Sequence, residues 1–145
     1  MAGIRFNDYY LNELSYKVNP NFDSGATELD ITPELEIGIN ISKQDAKVIT
    51  KLSVTFGNLY SEDAGFMLSI EILGMFEYDA GELKDYSIPF ETFIKESTIS
   101  ILWSFIRPYI SDMITRGNRF PNYILPVVNV NKLIKENDFE IVYTD

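Results

Sequence analysis

The chain has 145 residues, 46% of them hydrophobic, which is enough apolar material for one domain with its own core. It contains no cysteine and no histidine, so a disulfide scaffold, a thiol nucleophile, a cysteine-ligated metal and a serine–histidine triad are excluded. With 22 acidic against 12 basic residues, the net charge of −10 disfavours nucleic-acid phosphates and anionic membranes and suits a basic partner.

From the N-terminus, Met1–Leu11 carries one basic residue and is broken by Asn7 and Asp8, which does not read as a signal peptide. The segment Ile4–Ser15 is mixed, with Phe6, Tyr10 and Leu14 among polar neighbours. The clearest alternation follows: Leu35, Ile37, Ile39 and Ile41 against Glu34, Glu36, Gly38 and Asn40, one apolar face of a half-buried strand. Val48–Phe56 alternates again. Phe66–Phe76 continues the pattern but is apolar on its other face too, at Met67, Leu73 and Met75. The links Ser42–Ala46 and Asn58–Gly65 are short and polar, which predicts hairpins and an antiparallel meander.

Asp79–Pro89 holds Gly81, several charges and a proline, and reads as a loop. Phe90–Thr115 is a long helical candidate with a wide apolar arc; Pro108 is expected to kink or split it, and Arg116-Gly117 to stop it. The apolar stretch Ile99–Ile114 is interrupted by Ser100, Ser104, Arg107, Pro108, Ser111 and Asp112, so no bilayer span is expected and the default location is the cytoplasm. Phe120–Val128 should be extended, Asn129–Glu136 a short helix, and Phe139–Val142 a last extended tail. The predicted fold is α+β over residues 1–145: a four-stranded antiparallel sheet with a long helix and a short C-terminal helix on one face.

No pattern for catalysis stands out. The acidic pairs Glu34/Glu36 and Glu71/Glu77 fall where alternation points them to solvent, Asp23, Glu28 and Asp30 lack calcium-loop spacing, and no glycine-rich phosphate motif is present. An enzyme, a metal and a cofactor are therefore not expected. The aromatic load, nine Tyr and ten Phe, is high for a small domain and exceeds what a core needs. A surface offering Tyr, Phe and Met together suits adaptable binding of apolar partners. The arc of the long helix, at Phe93, Ile101, Phe105, Ile106, Tyr109 and Met113, is wider than one sheet face can cover and predicts self-association through that helix.

The order of elements and three strings resemble the SecB-type export chaperones. The strings are SVTFGNLYSEDAGFMLSIEILGMFEY (Ser53–Tyr78), ISILWSFIRPYISDMITRG (Ile99–Gly117) and FPNYILPVVNVNKLI (Phe120–Ile134). The last carries the family-like succession Arg116-Gly117, Phe120-Pro121, Leu125-Pro126, Val128-Asn129, and Arg107 falls where the family helix also has an arginine.

The resemblance implies a homotetramer, a dimer of dimers, that binds unfolded polypeptides in long apolar grooves without nucleotide. Tyr16, Phe22, Tyr78, Tyr86, Phe90, Val130, Leu133 and Ile134 are the groove candidates on that reading. Glu13 matches a carboxylate that contacts SecA in export members. Lys17 stands where another is usual and Ser69 replaces a third, so delivery to SecA is not expected of this chain. Some SecB-like proteins hold the antitoxin of a toxin–antitoxin module, and that is the alternative function.

Overall fold

The structure, a computed structural model, describes residues 3–23, 33–83, 89–120, 132, 134, 135 and 139–144. Its elements are β1 (Ile4–Val18), β2 (Pro33–Ser42), β3 (Lys47–Gly57), β4 (Phe66–Tyr78), α1 (Ala80–Leu83), α2 (Phe90–Gly117) and β5 (Phe139–Tyr143). The strands form one sheet in the order β1-β4-β3-β2-β5. The pairs β2–β3 and β3–β4 are antiparallel, as their short links require, and β1 pairs antiparallel with β4 across the sheet.

The expected four-stranded antiparallel sheet is corrected at one edge. The predicted tail is a fifth strand, running parallel to β2 with Ile37 opposite Phe139 and Ile41 opposite Tyr143. The sheet is therefore mixed. Short connections reveal antiparallel neighbours, whereas a parallel neighbour arrives from far along the chain and leaves no local signal.

Alternation decides which face α2 covers. In β2, β3 and β4 every second residue is buried: Ile37, Ile39 and Ile41, then Leu52, Val54 and Phe56, then Leu68, Ile70 and Ile72. The opposite residues remain exposed or half-buried, Met67, Leu73 and Met75 included. Helix α2 lies on the inner face through Ile94, Thr98, Leu102, Ile106, Ile110 and Ile114, a stripe spaced by four residues. Gly74 lets it come close, because a Cβ there would stand 2.6 Å from Leu102 Cδ2. At the centre, the buried Thr50 hydroxyl donates to Thr98 Oγ1 at 3.0 Å, and Thr98 donates to the Ile94 carbonyl at 2.8 Å. That pair ties β3 to α2 and satisfies two hydroxyls that would otherwise be costly to bury.

Pro108 does not split α2, which runs continuously to Gly117. The proline sits on the exposed side, so the carbonyl it leaves unpaired, that of the exposed Ser104, is within reach of water. The stop is Asn118, one residue beyond the expected Arg116-Gly117 pair. It adopts the left-handed conformation (φ 57°) and donates its N–H to the Thr115 carbonyl.

The expected loop after β4 contains the one-turn helix α1. It forms because Asp79 Oδ1 accepts from the Gly81 and Glu82 amides at 2.9 and 3.2 Å. Of the predicted last helix, Lys132, Ile134 and Lys135 are helical, and the rest lies outside the described residues, as does most of the predicted extended stretch Phe120–Val128.

Asn19, 2% exposed, closes the far end of the sheet. Its side-chain amide donates to the Ser61 and Ala64 carbonyls, both at 2.7 Å, its Oδ1 accepts from the Asn21 amide, and its own amide bonds the Gly65 carbonyl. Asn19→Ala would strand the buried Ala64 carbonyl and the half-buried Ser61 carbonyl and is expected to cost about 1–3 kcal/mol. A urea midpoint unchanged from the parent would contradict that role.

Candidate functional site

Three groups of aromatic side chains border α2, and each joins residues far apart in sequence. At the C-terminal end of the helix, Tyr16 lies against Phe66 (ring centroids 5.5 Å), Phe66 against Phe120 (5.7 Å), and Phe120 edge-on against Phe22 (5.6 Å). Arg119 covers the Phe120 ring at 5.6 Å. Tyr16 fits there because Gly117 has no side chain: a Cβ would stand 2.9 Å from the tyrosine ring. The Tyr16 hydroxyl is enclosed with no hydrogen-bond partner among the described residues. Burial pushes its pKa up, against the pull of the Arg119 charge.

The second group lies at the N-terminal end. Tyr78 meets Phe90 edge-on at 5.0 Å, and the Tyr143 hydroxyl donates to Glu91 Oε2 at 3.0 Å. Helix α2 has 28 residues, so the two groups are separated by about 40 Å of helix.

The third group fills the seam between β1 and α2. Phe105 stacks on Tyr9 at 4.5 Å and meets Phe6 in a tilted contact at 5.3 Å, Phe6 touches Phe76 at 5.4 Å, and the Tyr9 and Tyr109 hydroxyls are 3.4 Å apart. That hydroxyl contact, with burial and the neighbouring Asp8 charge, raises the Tyr9 pKa. Beside it Tyr9, Phe105, Pro108, Tyr109 and Asp112 line an open concavity of about 440 Å³.

The residues singled out from the sequence divide among these places. Tyr16 and Phe22 belong to the C-terminal group, and Tyr78 and Phe90 to the N-terminal one, so they do not form one continuous patch on the described chain. Ile134 is enclosed in the core, 1% exposed. Tyr86, Val130 and Leu133 lie outside the described residues. Of the helix residues expected at a subunit contact, Phe93 and Ile106 are buried within the chain itself. Ile101, Phe105, Tyr109 and Met113 form a half-buried stripe along the seam. Phe6, Phe66 and Phe120 are partners that no local sequence signal singles out, and the third group takes Tyr9 but not Tyr10. Both sit inside β1, Tyr9 facing the helix and Tyr10 facing outward with 49% exposure.

The outer face of the sheet is polar across its middle. Glu13 is opposite Glu71, Ser15 opposite Ser69 and Lys17 opposite Met67, so the three positions compared with the export chaperones share this face. Glu71 accepts from Ser53 Oγ at 2.6 Å and Asn12 Nδ2 at 2.5 Å, with Lys51 at 3.9 Å. These hydrogen bonds, Ser53 first, hold its pKa below the ordinary glutamate value in spite of partial burial.

A lowered folded-state pKa gives stability that is present at neutral pH and lost as pH falls through that value. Ser53→Ala should therefore move the Glu71 carboxyl titration, followed by NMR, upward toward the ordinary value. No movement would show that Ser53 does not hold the charge.

Residues 1–140 match the model of a protein family described as SecB, preprotein translocase subunit SecB. No curated protein matches the chain. Among solved structures, the chain is similar to a Mycobacterium tuberculosis SecB-like chaperone in complex with a ChAD peptide from the HigA1 antitoxin. The TM-score is 0.58 at 16% identity, over 88% of this chain and 91% of that one. It is also similar to a Streptococcus agalactiae protein of unknown function, with TM-score 0.51 and 13% identity over 86% of this chain and 97% of that one. At such identities the two structures establish a shared fold. With the family match over nearly its whole length, the chain belongs to the SecB family.

Proposed function

We propose that this protein is a chaperone that holds unfolded polypeptides on the apolar surfaces bordering α2, without nucleotide. Membership of the SecB family carries the reading. The aromatic groups support it: Phe22 and Phe120 keep part of their rings accessible at one end of α2, as do Tyr78 and Phe90 at the other. Apolar burial is non-directional, so such surfaces accept many sequences. The acidic surface would keep loaded complexes soluble and attract basic stretches of a client.

The half-buried stripe Ile101, Phe105, Tyr109 and Met113, with the concavity beside it, suits contact between copies of the chain in a homotetramer. The working location on this reading is the cytoplasm. A second reading, a chaperone dedicated to one antitoxin, is favoured by the antitoxin peptide bound to the Mycobacterium tuberculosis relative. Lys17 and Ser69 on the outer face weigh against delivery to SecA.

Suppression of aggregation of a slowly folding client, without ATP, tests the holding activity. The parent should suppress, and Phe22→Ser with Phe120→Ser should weaken client binding roughly tenfold, the scale of losing one strong apolar anchor. Tyr60→Ser, at a residue 79% exposed and outside the three groups, serves as the control. A parent that suppresses nothing overturns the reading. A double variant equal to the parent moves the surface elsewhere.

Suppression that extends only to one antitoxin favours the second reading. Light scattering at micromolar concentration should give the mass of a tetramer, and a single-chain mass overturns that assembly.

A further inference from the structure

One buried polar atom has nothing to bond. The Tyr16 hydroxyl is sealed from water and has no hydrogen-bond partner among the described residues. Buried hydroxyls are nearly always paired, because an unpaired one has given up its bonds to water for nothing, and each exception calls for a physical account. The Tyr9 hydroxyl, farther along the same strand, shows the contrast, with Tyr109 at 3.4 Å.

The end of α2 is what seals it. Tyr16 lies opposite Leu68 of β4, with its ring against Phe66. Gly117, the last residue of the helix, comes so near that a Cβ on it would stand 2.9 Å from the ring and 3.0 Å from the hydroxyl oxygen. Gly117 is itself exposed, so its backbone is a thin partition between the hydroxyl and water. Asn118 then turns the chain in the left-handed conformation, and two residues later the Phe120 ring lies on Phe66 and Phe22. Hydroxyl, glycine and Phe120 ring therefore share one seat.

That seat has two arrangements with different satisfaction. Closed, it buries the rings and orphans the hydroxyl. With residues 117–120 lifted, water reaches the hydroxyl, and Phe66, 1% exposed when closed, is uncovered. The orphan raises the closed arrangement and leaves the open one untouched, so it narrows the gap between them. A phenylalanine at this position would fill the same space without that effect.

We infer that residues 117–120 form a gate over the aromatic group at the end of α2, and that the orphaned Tyr16 hydroxyl keeps this gate poised to open. The inference rests on the chaperone reading for its purpose and adds to it when that surface is available: in the open arrangement, which presents Phe22, Phe66 and Phe120 together. A client that binds the open arrangement has its apparent affinity reduced by the fraction of time the gate is open.

The Asn118 amide reports the gate by hydrogen exchange, because it donates to the Thr115 carbonyl at 3.1 Å and lifting residues 117–120 breaks that bond. Tyr16→Phe removes the hydroxyl and retains the ring. Expected are a higher urea midpoint, about tenfold slower exchange at Asn118, and about tenfold weaker binding of a reduced, carboxymethylated protein as unfolded client. Greater stability with weaker binding is a combination that a mere packing defect does not give. Tyr10→Phe, at a residue 49% exposed on the outer face, is the control and should change none of the three.

An unchanged urea midpoint in Tyr16→Phe shows that the hydroxyl is satisfied in the closed seat and overturns the inference. A raised midpoint with unchanged exchange at Asn118 overturns the gate, and slower exchange with unchanged client binding overturns its control of the holding surface. A parent that binds no client overturns the chaperone reading instead, and the exchange at Asn118 still decides the gate.

Discussion

A sheet with one largely apolar face cannot remain in water, and nearly everything else in this molecule follows from how α2 covers that face. The inner residues of β2, β3 and β4 are close to completely buried, and α2 answers them with a stripe every fourth residue from Ile94 to Ile114. Two local features fix where the helix lies. Gly74 removes a side chain at the closest approach, and the Thr50–Thr98 hydrogen bond permits only one sliding position in which both hydroxyls are satisfied. A Val at Thr98 would retain the shape but orphan Thr50, so the pair sets register as much as stability.

One helix is narrower than a five-stranded sheet. Among the described residues α2 covers the middle of the inner face, Ile134 adds to the core, and aromatic residues collect at the margins. Phe6 and Tyr9 reach from β1 toward Phe105 on one side, Phe22 and Phe120 close one end, and Tyr78 with Phe90 the other. Large flat rings suit this position. They bury much area against the core while leaving an edge or a hydroxyl in contact with solvent. The surfaces proposed to hold unfolded chains are thus the places where the fold runs out of helix, not a cavity carved into the core.

How much of this could be read from the sequence depended on whether a residue's role was local. The alternation in Leu35–Ile41 and Val48–Phe56 gave β2 and β3 almost to the residue, because both strands are regular and face solvent on one side. β1 read as mixed because register shifts at Phe6/Asp8 and Leu11/Glu13 break the period of two twice. Pro108 looked like a break and is not one, since only its position on the exposed side makes it tolerable.

The wide arc of α2 was visible, but not which part of it the sheet takes. Phe93 and Ile106 are consumed within the chain, and Ile101, Phe105, Tyr109 and Met113 are the remainder. Contacts such as Phe22 with Phe120, and the pairing of the five residues of β5 with β2, each join positions about a hundred apart. No window of sequence holds either one.

The outermost strand β1 and the β2 side of the sheet are protected by different means. β1 is long and pairs on one side only among the described residues, yet it carries Arg5, Asp8, Glu13 and Lys17 and two register shifts, which spoil it as a template for uncontrolled pairing. β2 has neither bulge nor charge on its helix-facing side; it is straight, regular and apolar there, the kind of edge that recruits strands. The chain occupies it with its own β5. Covering β2 with a strand of the same chain guards against uncontrolled pairing there, as charge does on β1. One margin of the sheet is thus blunted by charge and irregular register, the other by a paired strand of the same chain.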